Sequence, residues 1–254
     1  MRLVRFRHGD RIATGFLSGQ EVRILRGTFF EDPVPSGEDV PLADVRLLAP
    51  VIPSKVLAVA RNYPEHAAEM GNPLPERPML FFKPATSVIG PGDPIPLPPD
   101  TERVDHEAEL AVVIGRLCRR VPEADALKYV LGYTCANDVT VRDWQKADGQ
   151  WARAKGSDGF CPLGPWVETE LDPADLAVTS RVNGQARQSG RTSEMAFSPS
   201  FLISYASRTI TLLPGDVVLT GTPPGVGPMT PGDRVEVEVE RIGVLENPAM
   251  SADA

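Results

Sequence analysis

Apolar and polar positions along this chain alternate or gather in short blocks, and they rarely recur at the three-to-four-residue spacing of an amphipathic helix. Blocks at 55–60, 79–89 and 131–138 predict strands, and 209–242 reads as hairpin-like β structure. The tripeptide Pro-Gly-Asp occurs at 91–93, 214–216 and 231–233, where Pro then Gly suits the centre of a type II turn. Proline-rich 93–100 is confined to a polyproline-like or edge segment. Short helices are predicted at 64–71, between Pro64 and Gly71, at 121–130 and at 140–147, and from the Ser198-Pro199 cap to about 207. Residues 1–50 carry weak short strands with turns at His8-Gly9-Asp10 and Pro35-Ser36-Gly37, which suggests a small N-terminal domain before a main domain at 51–254. The fold class is mainly β with short helices (α+β).

One block departs from this pattern. From Val104 to Gly115 the second half is apolar throughout, yet Asp105, Glu107 and Glu109 occupy alternate positions at its start. A strand sends alternate residues to one face, so the three acids share a face that continues inward as Ala111 and Val113. Adjacent carboxylates entering an apolar interior repel one another and lose hydration. A bound cation resolves both problems. The stretch from Arg234 to Glu240 is the internal control: Val and Glu alternate to its end, as on a solvated face of an antiparallel strand.

Asp138, where the strand at 131–138 ends, is a third acidic candidate, with a helix cap as its plainer reading. Glu107, Glu109 and Asp138 together make an all-oxygen set suited to Mg²⁺ or Mn²⁺ over Zn²⁺. His66 and Glu69 lie at helical i, i+3 spacing, so the carboxylate can orient the imidazole for general-base work, although a surface pair has the same spacing. His106 alternates away from the acids and reads as structural. Lys155 sits in a glycine-bearing loop with nothing intrinsic to separate it from a solvated lysine. The stretch from Thr220 to Gly227 lacks the Gly-Lys-Ser/Thr ending of a phosphate loop and fits a tight turn with backbone donors facing a small anion.

Composition narrows the partners. The net charge is −8 and no basic run exceeds two residues, which argues against nucleic acid and anionic membrane. No apolar run approaches the length needed to span a bilayer, and the first ten residues lack a signal-peptide stretch. Cys118, Cys135 and Cys161 are odd in number without C-x-x-C spacing, which favours reduced thiols, core packing and a cytoplasmic location.

Several segments, taken in order, resemble the fumarylacetoacetate hydrolase superfamily over roughly 50–247. They are Arg61-Asn62-Tyr63 with His66 and Glu69, Phe82-Lys83-Pro84, Asp105 to Gly115, and Gly132-Tyr133 with Asn137-Asp138 and Arg142-Asp143. Lys155, Pro162 to Pro165, Val182-Asn183-Gly184, Pro214-Gly215-Asp216 and Thr220 to Pro223 complete the series. The resemblance, closest to the acylpyruvase and oxaloacetate-decarboxylase-like branch, implies a β-rich roll with a small N-terminal domain, usually a homodimer. It implies that Glu107, Glu109 and Asp138 hold a divalent ion, usually Mg²⁺, with Lys155 beside it. Arg61, Asn62, Arg142, Gln145 and Thr222 become the expected substrate contacts, and His66 with Glu69 a catalytic dyad on a segment that closes over substrate. The implied activity is cleavage of a C–C bond in a 2-oxo or 2,4-dioxo acid, by an acylpyruvate- or fumarylpyruvate-type hydrolase or an oxaloacetate decarboxylase. Isomerisation or decarboxylation of a 2-hydroxy-dienedioate is the alternative that keeps the metal. A non-catalytic protein with a structural ion is the other, and it leaves His66, Glu69 and Lys155 without a purpose.

Overall fold

The structure is a computed structural model that describes residues 1–252. Its backbone is one large mixed sheet, open at both edges, with a five-stranded sheet against it and short helices around it. The large sheet runs from the edge strand Val34–Pro41 through the N-terminal meander to Arg2–His8, then Cys161–Glu168, Val130–Asn137, Ala108–Ile114, Val217–Leu219, Val56–Ala60 and Met79–Lys83.

Ala108–Ile114 lies near the middle of this sheet, and packing on both faces explains its unbroken apolar run. Leu110, Val112 and Ile114 pack with Val178, Val237 and Leu245 of the second sheet. Ala111 and Val113 face the opposite way, onto Val56, Leu163 and Leu219. The N-terminal strands have their own core of Val4, Phe6, Val22 and Ile24, and they join the main sheet where Leu3 pairs with Val167. Along Arg234–Val239 the valines are buried and Glu236 and Glu238 are half-buried against Arg181, so that face is salt-bridged as well as wet.

All three Pro-Gly-Asp turns share one device. Gly92, Gly215 and Gly232 take φ of +75°, +88° and +96°, as the third position of a type II turn requires. In each turn the aspartate N–H donates to the carbonyl three residues earlier, at 3.3, 3.0 and 3.0 Å. The same aspartate's carboxylate accepts the N–H of that residue, at 2.8, 2.7 and 2.7 Å.

The described residues form four α-helices: α1 (Pro64–Glu69), α2 (Arg142–Ala147), α3 (Ala152–Gly156) and α4 (Pro199–Ser207). Ser198 caps α4 by accepting the Phe201 N–H at 3.2 Å. Four expectations shift. The helix expected over 121–130 is a 3₁₀ helix, Glu123–Tyr129. Thr140 and Val141 pair as a short strand with Val104 and Asp105, so α2 starts only at Arg142. The extended run at 79–89 is interrupted by a 3₁₀ turn, Ala85–Ser87, between two strands. Lys155 is on α3 and not in a loop; glycine is required at Gly156, the last residue of that helix, because a Cβ there would lie 2.7 Å from the Pro84 ring. The three cysteines are free and buried, and burial pushes the Cys135 and Cys161 thiols up to about 12. Among the described residues no helix is long and apolar enough to cross a membrane.

Candidate active site

Strand register assembles the acids. Ala108 pairs with Asn137 and Glu109 with Ala136, so Glu107 and Glu109 at the start of one strand meet Asp138 at the end of its neighbour. The Asp138 N–H donates to the Glu107 carbonyl at 2.9 Å, and the Glu107 N–H to Asn137 Oδ1 at 2.9 Å. One ligand oxygen from each of Glu107, Glu109 and Asp138 lies within 4.8 Å of the others, and all three residues are buried.

Cations surround this cluster. The Lys155 ammonium, itself buried, donates to Glu107 at 3.0 Å, to Asp138 at 2.6 Å and to Thr140 Oγ1 at 2.8 Å. Arg142 lies 2.6 Å from Glu107 and 2.8 Å from Asp105, and Arg103 holds the other side of Asp105 at 2.7 Å. Lys83 pairs with the second oxygen of Asp138. Burial pushes Glu107 up, but Lys155 and Arg142 outweigh it and hold this carboxyl below its usual range. Burial, with Asp138 and Glu107 alongside, pushes Glu109 well above its usual range; its one direct donor is the Gly221 N–H at 2.7 Å. An all-oxygen donor set containing one carboxylate without a cationic partner fits a hard divalent ion such as Mg²⁺ or Mn²⁺.

A cavity of about 560 Å³ opens over the three acids and Lys155. Of the other expected residues, Arg61, His66, Arg142, Gln145 and Thr222 line it. Arg61 has φ of +56°, a conformation that costs a non-glycine residue about 1 kcal/mol or more and that gathers at functional sites. Gln145 accepts from Arg142 at 3.0 Å, and Thr222 donates to the Ala108 carbonyl at 2.8 Å. His66 Nδ1 lies 3.2 Å from Glu69, whose carboxylate accepts the Gly225 N–H at 3.0 and 3.2 Å. Glu69 therefore stands behind the imidazole, outside the cavity lining.

Asn62 corrects an expectation. It is 0% exposed, and its side chain is fully committed to main chain: it donates to Phe197 O at 2.9 Å and Thr220 O at 2.7 Å and accepts from Phe197 N–H at 2.8 Å. It staples two loops and offers the cavity nothing. The loop from Thr220 to Gly227 turns its backbone donors onto anions as expected, but these are the protein's own Glu109 and Glu69. Glycine is needed at both donors: a Cβ on Gly221 would lie 2.7 Å from Asn62 Cβ, and one on Gly225 2.2 Å from Arg187 O, and both have φ near +95°.

Lys83 joins the site although no role for it follows from the sequence. Its signals are a place in the Phe82-Lys83-Pro84 segment of the resemblance and a charge closing the otherwise apolar strand Met79–Lys83. His106 is buried and pairs with Gln188 at 3.1 Å, a structural contact.

The family described as Fumarylacetoacetate (FAA) hydrolase C-terminal matches residues 55–249, and the one described as Rv2993c-like, N-terminal matches residues 1–50. The chain belongs to the fumarylacetoacetate hydrolase superfamily. Within it, the fold superimposes on 5-carboxymethyl-2-hydroxymuconate delta-isomerase from Mycobacterium smegmatis with a TM-score of 0.94 and 50% identity, covering 99% of this chain and 100% of that one. For 2-hydroxyhepta-2,4-diene-1,7-dioate isomerase from Mycobacterium marinum the TM-score is 0.93 and the identity 45%, with full coverage of both chains. Human mitochondrial oxaloacetate tautomerase FAHD2A is 45% identical over 221 residues, 82% of this chain and 70% of that protein. The β-roll of the superfamily is the open sheet described above, and superfamily chemistry is cleavage or isomerisation of small oxo and dioxo acids.

Proposed function

We propose that this protein is a divalent-metal-dependent isomerase or tautomerase of 2-oxo acids, moving a proton between the carbon beside the keto group and a second position on the substrate. The observation that carries the reading is one cavity holding a buried, carboxylate-backed His66 above three buried acids and Lys155. Proton transfer needs an acid–base group and a means of holding charge on oxygen, and it needs no positioned water. Two isomerases and a tautomerase among the similar proteins favour it over the hydrolysis that a His–Glu dyad first suggests.

Glu107, Glu109 and Asp138 would hold the ion, which when bound supplies Lewis acidity for a keto oxygen and the adjacent carboxylate. His66 removes the proton from carbon and returns it. Glu69, fixed by the Gly225 N–H, accepts from Nδ1 and so leaves Nε2 as the reactive nitrogen. Lys155 and Arg142 offset negative charge as it develops, and Gln145 orients the substrate carboxylate from a cavity wall that Thr222, its hydroxyl committed to the Ala108 carbonyl, helps to shape.

The test follows oxaloacetate enol–keto exchange, 2-hydroxy-dienedioate isomerisation and acylpyruvate cleavage side by side, with Mg²⁺ or Mn²⁺ and after chelation. Isomer exchange that is lost on chelation and outpaces pyruvate release is the expected result. Pyruvate release without isomer exchange would transfer the protein to the C–C hydrolase reading, which the His66–Glu69 pair favours. No turnover of any substrate would leave the non-catalytic reading.

A further inference from the structure

The charged groups under the cavity form one continuous chain of contacts. It runs Arg103, Asp105, Arg142, Glu107, Lys155, Asp138, Lys83, each within ion-pair distance of the next. Glu109 stands beside it on the Gly221 N–H. Four cations thus face four carboxyl groups, so once Glu109 is ionised to receive an ion the cluster is already balanced without that ion's charge.

The two lysines on Asp138 are not equivalent. Lys155 lines the cavity, where a ligand can draw its ammonium away. Lys83 is 0% exposed at the end of a strand, outside the cavity lining, with its ammonium on the far oxygen of Asp138. No solvent and no ligand reaches it, so its charge stays in the cluster whatever binds.

We infer that Lys83 is a permanent counter-ion that makes divalent metal and anionic substrate bind interdependently. The inference rests on the metal reading above. A divalent ion entering a balanced, buried cluster leaves two positive charges without compensation, which a low-dielectric site tolerates poorly. A 2-oxo acid anion offsets part of that charge, one unit for pyruvate and two for a dicarboxylate, so each ligand raises the other's affinity by the same factor. If Lys83 were only an anchor for Asp138, its removal would weaken metal binding. As a counter-ion, its removal strengthens binding of metal alone and shrinks the gain from the anion.

Calorimetric titration of Mg²⁺ and Mn²⁺ into the full-length protein, with and without saturating pyruvate, decides the matter. The wild type should bind the ion at least about tenfold more tightly with pyruvate. In Lys83→Met the ion alone should bind more tightly than in wild type and the pyruvate gain should fall. Lys83→Arg, which keeps the charge, should restore the wild-type pattern. Equal ion affinity with and without pyruvate in the wild type overturns the counter-ion inference and leaves the metal site standing. Weaker ion binding in Lys83→Met overturns it in favour of the anchor. Absence of ion binding under both conditions overturns the metal reading itself. The wild-type pair of titrations is decisive even where a variant fails to fold.

Discussion

Replacing Asn62 by alanine probes the staple between the catalytic loops. The change deletes two donated hydrogen bonds, to Phe197 O and Thr220 O, and one accepted from Phe197 N–H, all at 2.7–2.9 Å around a residue with no exposed surface. Each such bond contributes about 1 kcal/mol net, and each buried group left unpaired costs about 1–3 kcal/mol. Some of those groups will recruit water into the vacated space, so the loss should be on the order of 3–5 kcal/mol. Asn62→Asp should be no better, because it keeps the acceptor for Phe197 N–H but sets a carboxylate against two carbonyls. Urea unfolding at matched concentration gives the measurement, read from the midpoint with the slope held common. The same staple sits beside Gly221, whose N–H holds Glu109, so ion affinity should fall along with stability. A loss below about 1 kcal/mol for Asn62→Ala would refute the reasoning, since three satisfied buried bonds cannot vanish at that cost.

Three further outcomes are expected. His66→Ala should slow proton transfer by about 10²–10⁴-fold with ion affinity nearly unchanged, and equal rates in variant and wild type would remove His66 as the base. Oxalate, with two adjacent oxygen-bearing carbons, should compete with substrate only when metal is present, and acetate should compete far more weakly; the reverse ranking in inhibition kinetics would end the chelation reading. Because Glu109 is pushed above its usual range, a divalent ion must displace its proton at low pH. In metal-free protein its contribution to stability is complete below the ordinary carboxylate pKa and lost as pH rises through the raised one. The thermal shift produced by Mg²⁺ should therefore grow as pH rises above the ordinary carboxylate range, and a constant shift would argue that Glu109 is not a ligand.

Legibility in the sequence followed how much of each residue's environment is local. Glu107 and Glu109 could be grouped because strand periodicity fixes their face and the apolar continuation fixes its direction, whereas Asp138 reads more plainly as a helix cap until the register brings its strand alongside. Lys83 could not, since a lysine closing an apolar strand looks like a solvated strand end until the fold brings Asp138 to it. Asn62 sits next to Arg61 in sequence, yet Arg61 lines the cavity and Asn62 faces main chain, a division set by the left-handed backbone at Arg61. The helix of Lys155 is only five residues long, too short for periodicity to declare it, and its glycine serves the approach to Pro84. Glu236 and Glu238 alternate as a wet face should, but Arg181 comes from a partner strand more than 50 residues away.

Strand order in the large sheet also bears on how the chain emerges from a ribosome. Val217–Leu219 lies between Ala108–Ile114 and Val56–Ala60, and Arg2–His8 pairs with Cys161–Glu168. Until residue 219 has been made, the two strands that flank the gap present unpaired apolar edges, although most of the protein has already been synthesised. The first four strands form a local meander early and then wait for residue 168 before they dock. Long-range pairing of this kind is slow and leaves sticky edges open. Truncation just before residue 217 should therefore produce a chain that chaperones retain, and nascent-chain yield in their absence should fall most steeply there.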